Sequence, residues 1–310
     1  MNFSEKIKQY AQSVIGFDAC GICKAEPVPD KIKDGFLQWI AAGRQADMKY
    51  MEQHFDKRTN PSLLVENAKS VICVALNYYP KEKQSEENPQ IAYYAYGKDY
   101  HEVMKQKLHR LFGYIKQEYP ALDGRVFCDT APVMERYWAE KAGLGFVGKN
   151  SLLIIPRKGS YFFLGELIIN AELEYDDPLN ISCGNCTKCI DSCPTQAIIS
   201  SQTIDSFKCI SYQTIENKGE INEEIASRLS NRFYGCDICQ QMCPWNRFAT
   251  PSHVVEFAPN PRLLNLSSNE IEKLSIEDYQ QTFKGSAIKR AKLSGLKRNI
   301  NALKGKPKKE

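Results

Sequence analysis

The chain has 310 residues, 43% of them hydrophobic and 25% charged, the composition of a globular protein with room for two domains. Its 41 basic and 37 acidic side chains leave a net charge of +4, which neither demands nor excludes a nucleic-acid partner. Apolar runs such as Val71 to Leu76 are about six residues long where a bilayer span needs about 20, and the opening MNFSEKIKQY has no apolar stretch, so neither a membrane span nor a secretory leader is expected.

Residues 4–15 place Ile7, Tyr10, Ala11, Val14 and Ile15 at helical spacing behind Ser4, which reads as an N-cap. A short strand at 17–22 and a helix from Asp30 to Ala42 follow. Further strands read at 70–77, 124–128, 151–156 and 162–170, with helices at 101–119 and 133–142. This alternation makes residues 1–178 an α/β (α+β) domain whose strand order a single sequence leaves open. Residues 179–250 carry most of the cysteines, and 251–310 form a helical, basic C-terminal segment that opens on prolines at 251, 259 and 261. From Lys284 onward, ten of 27 residues are Lys or Arg, against the single acid Glu310. That density suits phosphate contact, and it equally suits a solvated helix with a basic tail.

Twelve cysteines in a chain expected in the cytoplasm, where thiols stay reduced, point to metal or redox chemistry. Eight of them form Cys183-x2-Cys186-x2-Cys189-x3-Cys193-Pro194, a lone Cys209, and Cys236-x2-Cys239-x3-Cys243-Pro244. The first run is the bacterial ferredoxin pattern, in which three thiolates wrap one [4Fe-4S] cluster and the fourth reaches another. Applied to both halves, the crossover predicts one cluster on Cys183, Cys186, Cys189 and Cys243 and a second on Cys193, Cys209, Cys236 and Cys239. Zinc also takes cysteines in fours, but the tight triple suits a cubane better. Between Cys209 and Cys236 lie 26 residues, with a helix expected from Ile221 to Leu229, an insertion that suggests contact with something beyond the clusters. Cys20 and Cys23 form an isolated Cys-x2-Cys pair; with Cys73 and Cys128 they read as buried strand residues. Gly143-Leu144-Gly145-Phe146-Val147-Gly148 spells G-x-G-x-x-G but runs from helix to strand, the reverse of a dinucleotide site.

Four stretches, YGKDYH (96–101), DTAPVMERYWAEKAGLGFVGKNSLLI (129–154), CISYQTIENKG (209–219) and GCDICQQMCPWN (235–246), together resemble the epoxyqueuosine reductase family. Its members are cobalamin-dependent iron–sulfur enzymes of tRNA queuosine synthesis, related to reductive dehalogenases. The resemblance runs to about residue 300 and implies a cobalamin-binding domain followed by a ferredoxin-like domain with two [4Fe-4S] clusters. It implies a reaction in which two electrons and two protons convert epoxyqueuosine, at the wobble position of a tRNA anticodon, to queuosine and water. Asp129 matches the family's acid. To hold a proton at neutral pH it would need an apolar setting or a nearby negative charge. Asp129 or Thr130 also reads as an N-cap of the helix that follows.

Positions matching the family's cofactor contacts are Arg58, Asp129, Asn150, Ser151, Ser211 and Asp237. None of His54, His101, His109 and His253 sits in an Asp-x-His-x-x-Gly motif, which implies base-off cobalamin without a protein histidine. The expected partners are the tRNA anticodon stem-loop and an external low-potential electron donor, with the chain acting as a monomer and no membrane involved. Longer members carry helical repeats after the cluster domain, whereas this chain ends at LKGKPKKE. The RNA surface is then expected on the core and residues 284–309, while the aromatic YYAYGKDYH at 93–101 reads equally as a stacking platform for a base and as core and rim packing. Two other readings remain open: a corrinoid reductase of small halogenated or oxidised molecules, and a ferredoxin-type electron carrier without catalysis.

Overall fold

Ser70–Asn77 is buried at every position, the mark of a strand covered on both faces. It pairs with Ala19–Lys24 on one side and Phe162–Ile169 on the other, and Gly124–Phe127 forms the far edge. All three pairings are antiparallel, so the first domain is α+β rather than α/β. The structure is a computed structural model that describes residues 2–305; the basic residues Lys306, Lys308 and Lys309, with Glu310, lie outside the described residues.

Alternation along the strands sorts the side chains into two cores. Ile22, Ile72, Val74, Leu76 and Leu167 face the helices Phe3–Tyr10 and Tyr100–Glu118, while Cys23, Val71, Cys73, Ala75 and Ile168 face the helix Glu135–Lys141. The same alternation puts Cys20 and Cys23 against opposite cores, so they do not form a joint ligand pair. A Cβ on Gly21 would stand 2.0 Å from the Ala142 carbonyl oxygen; only glycine lets the end of the Glu135–Lys141 helix close on this strand.

Several expected boundaries shift. The first helix is capped by Asn2, not Ser4, whose hydroxyl accepts the Glu174 N–H at 2.8 Å. The strand expected at 151–156 shrinks to Leu153–Ile154 and pairs with Phe146–Val147 outside the main sheet. The helix expected at 133–142 begins at Glu135 with no side-chain cap, so neither Asp129 nor Thr130 caps it.

In the cysteine-rich segment each Cys-x2-Cys leads into a short helix, Lys188–Asp191 or Ile238–Gln241, and then to a Cys-Pro that turns the chain out. The helix expected at 221–229 spans Glu223–Ser227 and buries Ile225 with Ile221, Leu229 and Ile210. The C-terminal helix Lys292–Lys304 packs beside it. Arg232–Tyr234 pairs with Gln90–Ile91, and Val254 and Phe257 join the first core. Among the described residues no helix is long and apolar enough to cross a membrane.

Candidate functional site

The eight clustered thiols fall into two sets. Cys183, Cys186, Cys189 and Cys243 line one small cavity with Asn150 and Trp245. In the other set, burial and the nearby thiols of Cys236, Cys209 and Cys193 push Cys239 well above the ordinary thiol range. Backbone N–H groups aim at the sulfurs: Ala197 donates to Cys193 Sγ at 3.2 Å, and Tyr212 and Ser211 serve Cys209. Such donors favour the thiolate that a metal needs. Among the described residues no three His, Cys, Asp or Glu side chains converge as one metal ion requires. A single zinc draws its sulfurs to about 2.3 Å, whereas a cubane gives each cysteine a separate iron and keeps the sulfurs apart. A larger cavity of about 660 Å³, lined by Lys188, Met242 and Arg247, borders Cys243 and includes none of the residues around Asp129.

Asp129 follows the edge strand in the left-handed region, at φ +57°. Its N–H donates to Glu135 Oε1. Tyr100 Oη donates to its Oδ2 at 2.6 Å, and His101 Nε2 lies 3.0 Å from the same oxygen. His101 Nδ1 lies 2.6 Å from Asp99 Oδ1. Both ring nitrogens face carboxylates, so both carry hydrogen and the ring is an imidazolium. Burial works against that charge, but the hydrogen bonds and charges of Asp129 and Asp99 hold His101 up at about 9. For Asp129 burial acts upward, yet the bonds from His101 and Tyr100, with the charges of His101 and Arg136, hold its carboxyl below the usual range. The expectation of a proton-holding aspartic acid is therefore corrected. The Asp129 side chain is 56% exposed, and a cationic and a hydroxyl donor stand against its carboxylate instead of apolar groups. The proton resides on His101.

In the sequence, Tyr100 and His101 stand out only as part of a motif and an aromatic patch. The signal that marks them is Asp99-x-His101 at a helix start, where Asp99 caps by accepting the His101 N–H at 3.0 Å. The rest of the patch packs: Tyr96 is buried, and Tyr100 stacks on Phe163 at 4.2 Å.

Asp129 shares its space with charged groups from three other segments. Burial raises the Tyr50 phenol, and the fields of Glu216, Arg290, Asp129 and Arg58 all reach it. Arg290 forks onto Glu216 with bonds of 2.9 and 3.0 Å. The Arg58 guanidinium lies 5.6 Å over Phe36 and donates to the Tyr50 carbonyl at 3.4 Å, while its Nε is buried with no partner among the described residues. Such an orphaned donor costs about 1–3 kcal/mol, which leaves Arg58 with an N–H available to an acceptor.

Of the other expected cofactor positions, Asn150 touches both thiol sets, and Ser211 and Asp237 flank the second. Asn150 Nδ2 donates to the Cys239 carbonyl at 3.3 Å, with Ser151 next in the chain at φ +63°. Asp237, which burial lifts to about 6, accepts the Tyr93 N–H at 2.7 Å, and Ser211 stands two residues past Cys209.

The basic C-terminal segment is partly an internal clamp, which corrects its reading as one solvated or phosphate-facing surface. Arg290 is committed to Glu216, Lys304 pairs with Glu272, and Arg298 donates to the carbonyls of Gln213, Asn217 and Gly219. Lys284, Lys289 and Lys292 remain exposed.

The family described as epoxyqueuosine reductase QueG, DUF1730, matches residues 58–130, and a 4Fe-4S double cluster binding domain matches residues 182–246. An epoxyqueuosine reductase of Cellulophaga algicola is 46% identical over 290 residues, 94% of each chain. A crystal structure of epoxyqueuosine reductase with a tRNA-Tyr epoxyqueuosine-modified stem loop aligns with a TM-score of 0.89 at 31% identity, over 96% of this chain and 80% of that one. The Bacillus subtilis epoxyqueuosine reductase, with its aspartate catalytic loop swung out of the active site, aligns with a TM-score of 0.88 at 30% identity, again over 96% and 80%. These relatives favour neither a small-molecule reductase nor a passive carrier.

Proposed function

The chain belongs to the epoxyqueuosine reductase family, and from that premise we propose that it removes the epoxide oxygen of epoxyqueuosine in the anticodon loop of tRNA. Two electrons and two protons enter, both C–O bonds of the epoxide break, and the alkene of queuosine and one water leave. Identity along nearly the whole chain supports the substrate. The observation that carries the mechanism is the His101 ring held between the Asp129 and Asp99 carboxylates.

Cys183, Cys186, Cys189 and Cys243 would hold one [4Fe-4S] cluster, and Cys193, Cys209, Cys236 and Cys239 the other, each passing single electrons from an external low-potential donor. Cobalamin would supply the strongly reducing centre that the epoxide requires. Arg58, with its spare N–H, would hold the polar rim of that group, and Asn150, Ser151, Ser211 and Asp237 the side nearer the second cluster. His101 has no free lone pair to offer a metal, because both nitrogens are engaged.

The departing oxygen needs a proton as it leaves. His101 gives its Nε2 proton to Asp129, and Asp129 passes it to the oxygen; Asp99 and Tyr100 keep the pair aligned. A second proton by the same route turns the hydroxyl into water, and solvent recharges His101. The relative whose aspartate loop swings out supports a wall that opens at Asp129. Lys284, Lys289 and Lys292, exposed near Arg290, would meet stem-loop phosphates, with the chain acting as a cytoplasmic monomer.

Anaerobic purification with metal analysis, followed by incubation with reductant and epoxyqueuosine-containing tRNA, tests the proposal. The expected result is about eight iron atoms and about one cobalt per chain, with a nucleoside lighter by one oxygen. Zinc in place of iron, or an unchanged nucleoside, would overturn it.

A further inference from the structure

Glu166 lies mid-strand in Phe162–Ile169 at 0% exposure, opposite Cys73 on one neighbouring strand and Phe127 on the other. Such a position ordinarily holds Val, Ile or Leu. Neither carboxyl oxygen meets a donor among the described residues. By alternation with Leu164 and Ile168, the side chain faces the helix Glu135–Lys141, and it lies within hydrogen-bonding reach of the Glu135 carboxyl. A carboxylate without a partner inside the sheet, set against a second, half-buried carboxylate, would be strongly destabilising. One proton between them removes the repulsion and turns the orphaned contact into a hydrogen bond. The other groups facing the pair sort the proton. Burial and the Asp129 charge raise both carboxyls, but on Glu166 nothing offsets them and Cys23 adds to them, whereas the Asp129 N–H, Arg136 and His101 hold Glu135 down to about 7. Glu166 is therefore the donor and Glu135 the acceptor.

Glu135 is also the residue that takes the Asp129 N–H. Such a hold fixes a backbone in the left-handed region, which residues other than glycine adopt only as single, locally supported positions.

We propose that Glu166 is a positioning residue: its carboxyl donates a hydrogen bond to Glu135, and Glu135, so oriented, holds the Asp129 amide and with it the carboxylate that His101 and Tyr100 serve. The inference rests on the assignment of Asp129 to the reaction, and its readout is separate from turnover.

Glu166→Gln keeps the size and an N–H donor; Glu166→Leu keeps the approximate volume and removes the donor. In the fully loaded enzyme, amide hydrogen exchange at Asp129 is compared with that of the Ser70–Asn77 strand. In Glu166→Leu, exchange at Asp129 should quicken about tenfold against an unchanged strand, and Glu166→Gln should stay near wild type. Turnover should follow the same order, with kcat lowered in the leucine variant, restored in the glutamine variant, and KM steady in both. An infrared band of a buried protonated carboxyl should be present at neutral pH in the wild type and absent in Glu166→Gln. That band decides the matter if the leucine variant loosens the whole sheet. A missing band, or unchanged Asp129 exchange in an intact leucine variant, overturns the proposal. An active Asp129→Asn enzyme alongside the expected exchange pattern would instead remove Asp129 from the reaction and leave the positioning contact standing.

Discussion

Replacing Asp99 by asparagine should lower the pH at which turnover fails while leaving the fold intact. Asp99 has two roles, as cap of the Tyr100–Glu118 helix and as the carboxylate 2.6 Å from His101 Nδ1. Asparagine caps about as well as aspartate, so the substitution removes mainly the charge. His101 is lifted from 6.5 to about 9, which corresponds to about 3 kcal/mol favouring the imidazolium. Its side chain is only 24% exposed, so solvent screening discounts this little. Two carboxylates share the effect, and losing one should bring His101 to roughly 7.5–8. Since the folded value exceeds the unfolded one, the benefit is complete below about 6.5. It is lost as pH rises through about 9 in the wild type, and through roughly 7.5–8 in the variant. At about pH 8.5 the variant should have lost several-fold more activity than the wild type, and near about pH 6 the gap should be smallest. Single-turnover conversion of epoxyqueuosine in tRNA across this range, with the His101 ring signal followed in parallel, makes the measurement. An alkaline limb that does not move would refute the imidazolium as proton source; a uniform loss at every pH would make Asp99 structural.

Asp129→Asn should keep its iron and cobalt yet lose turnover by about 10² or more, as removal of a proton-transfer group does; full activity would take Asp129 out of the route. Cys183→Ser should lower bound iron toward half while the signal of the other cluster persists, and loss of all iron would contradict two separate thiol sets. Substituting Lys284, Lys289 and Lys292 together by alanine should weaken tRNA binding and flatten its salt dependence by about 0.7–0.9 in logarithmic slope for each phosphate no longer neutralised. An unchanged slope would move the RNA surface elsewhere. Arg298→Ala should cost about 2–3 kcal/mol, since it strips three carbonyls of a half-buried cation, and thermal melting reads the loss.

The thiol spacing was legible because it is local. Cys-x2-Cys-x2-Cys-x3-Cys-Pro winds three thiols around one centre and sends the fourth to another, and applying that crossover to both halves gives the partition into two sets. The sheet strands were legible from their apolar runs, with boundaries off by one or two residues, except at 151–156, where only two residues find a partner. The protonation pattern was not legible. VFCDTAP suggests an apolar pocket for Asp129, but the side chains that decide its charge come from Asp99, Tyr100 and His101 on another element, about 30 positions earlier. Glu166 was hidden for a similar reason: a lone glutamate in FFLGELII reads as an outward-facing residue until the sheet covers both faces. Likewise, charge density from Lys284 onward could not separate Arg298, which clamps backbone carbonyls, from Lys289, which stays exposed.

The 26 residues between Cys209 and Cys236 explain why the second thiol set departs from the spacing of the first. The segment leaves Cys209 directly into the helix Ile210–Ile215, and Tyr212 there donates its hydroxyl to Asp47 Oδ2 at 2.7 Å. One turn later Glu216 receives the Arg290 fork, and both charges reach Tyr50. Behind it, Arg298 ties Gln213, Asn217 and Gly219 to the C-terminal helix. A two-residue spacer after Cys209 would leave no chain to make these contacts. The insertion therefore links a cysteine of the second thiol set to Asp47, to the Arg290 fork and to the C-terminal helix. It follows that weakening the Arg298 clamp should loosen Tyr50 and Glu216 before it disturbs Cys183. Exchange that quickens in 210–217 while the 183–189 loop stays protected is the signature of that order, and equal loosening of both would show that the insertion is not a separate segment.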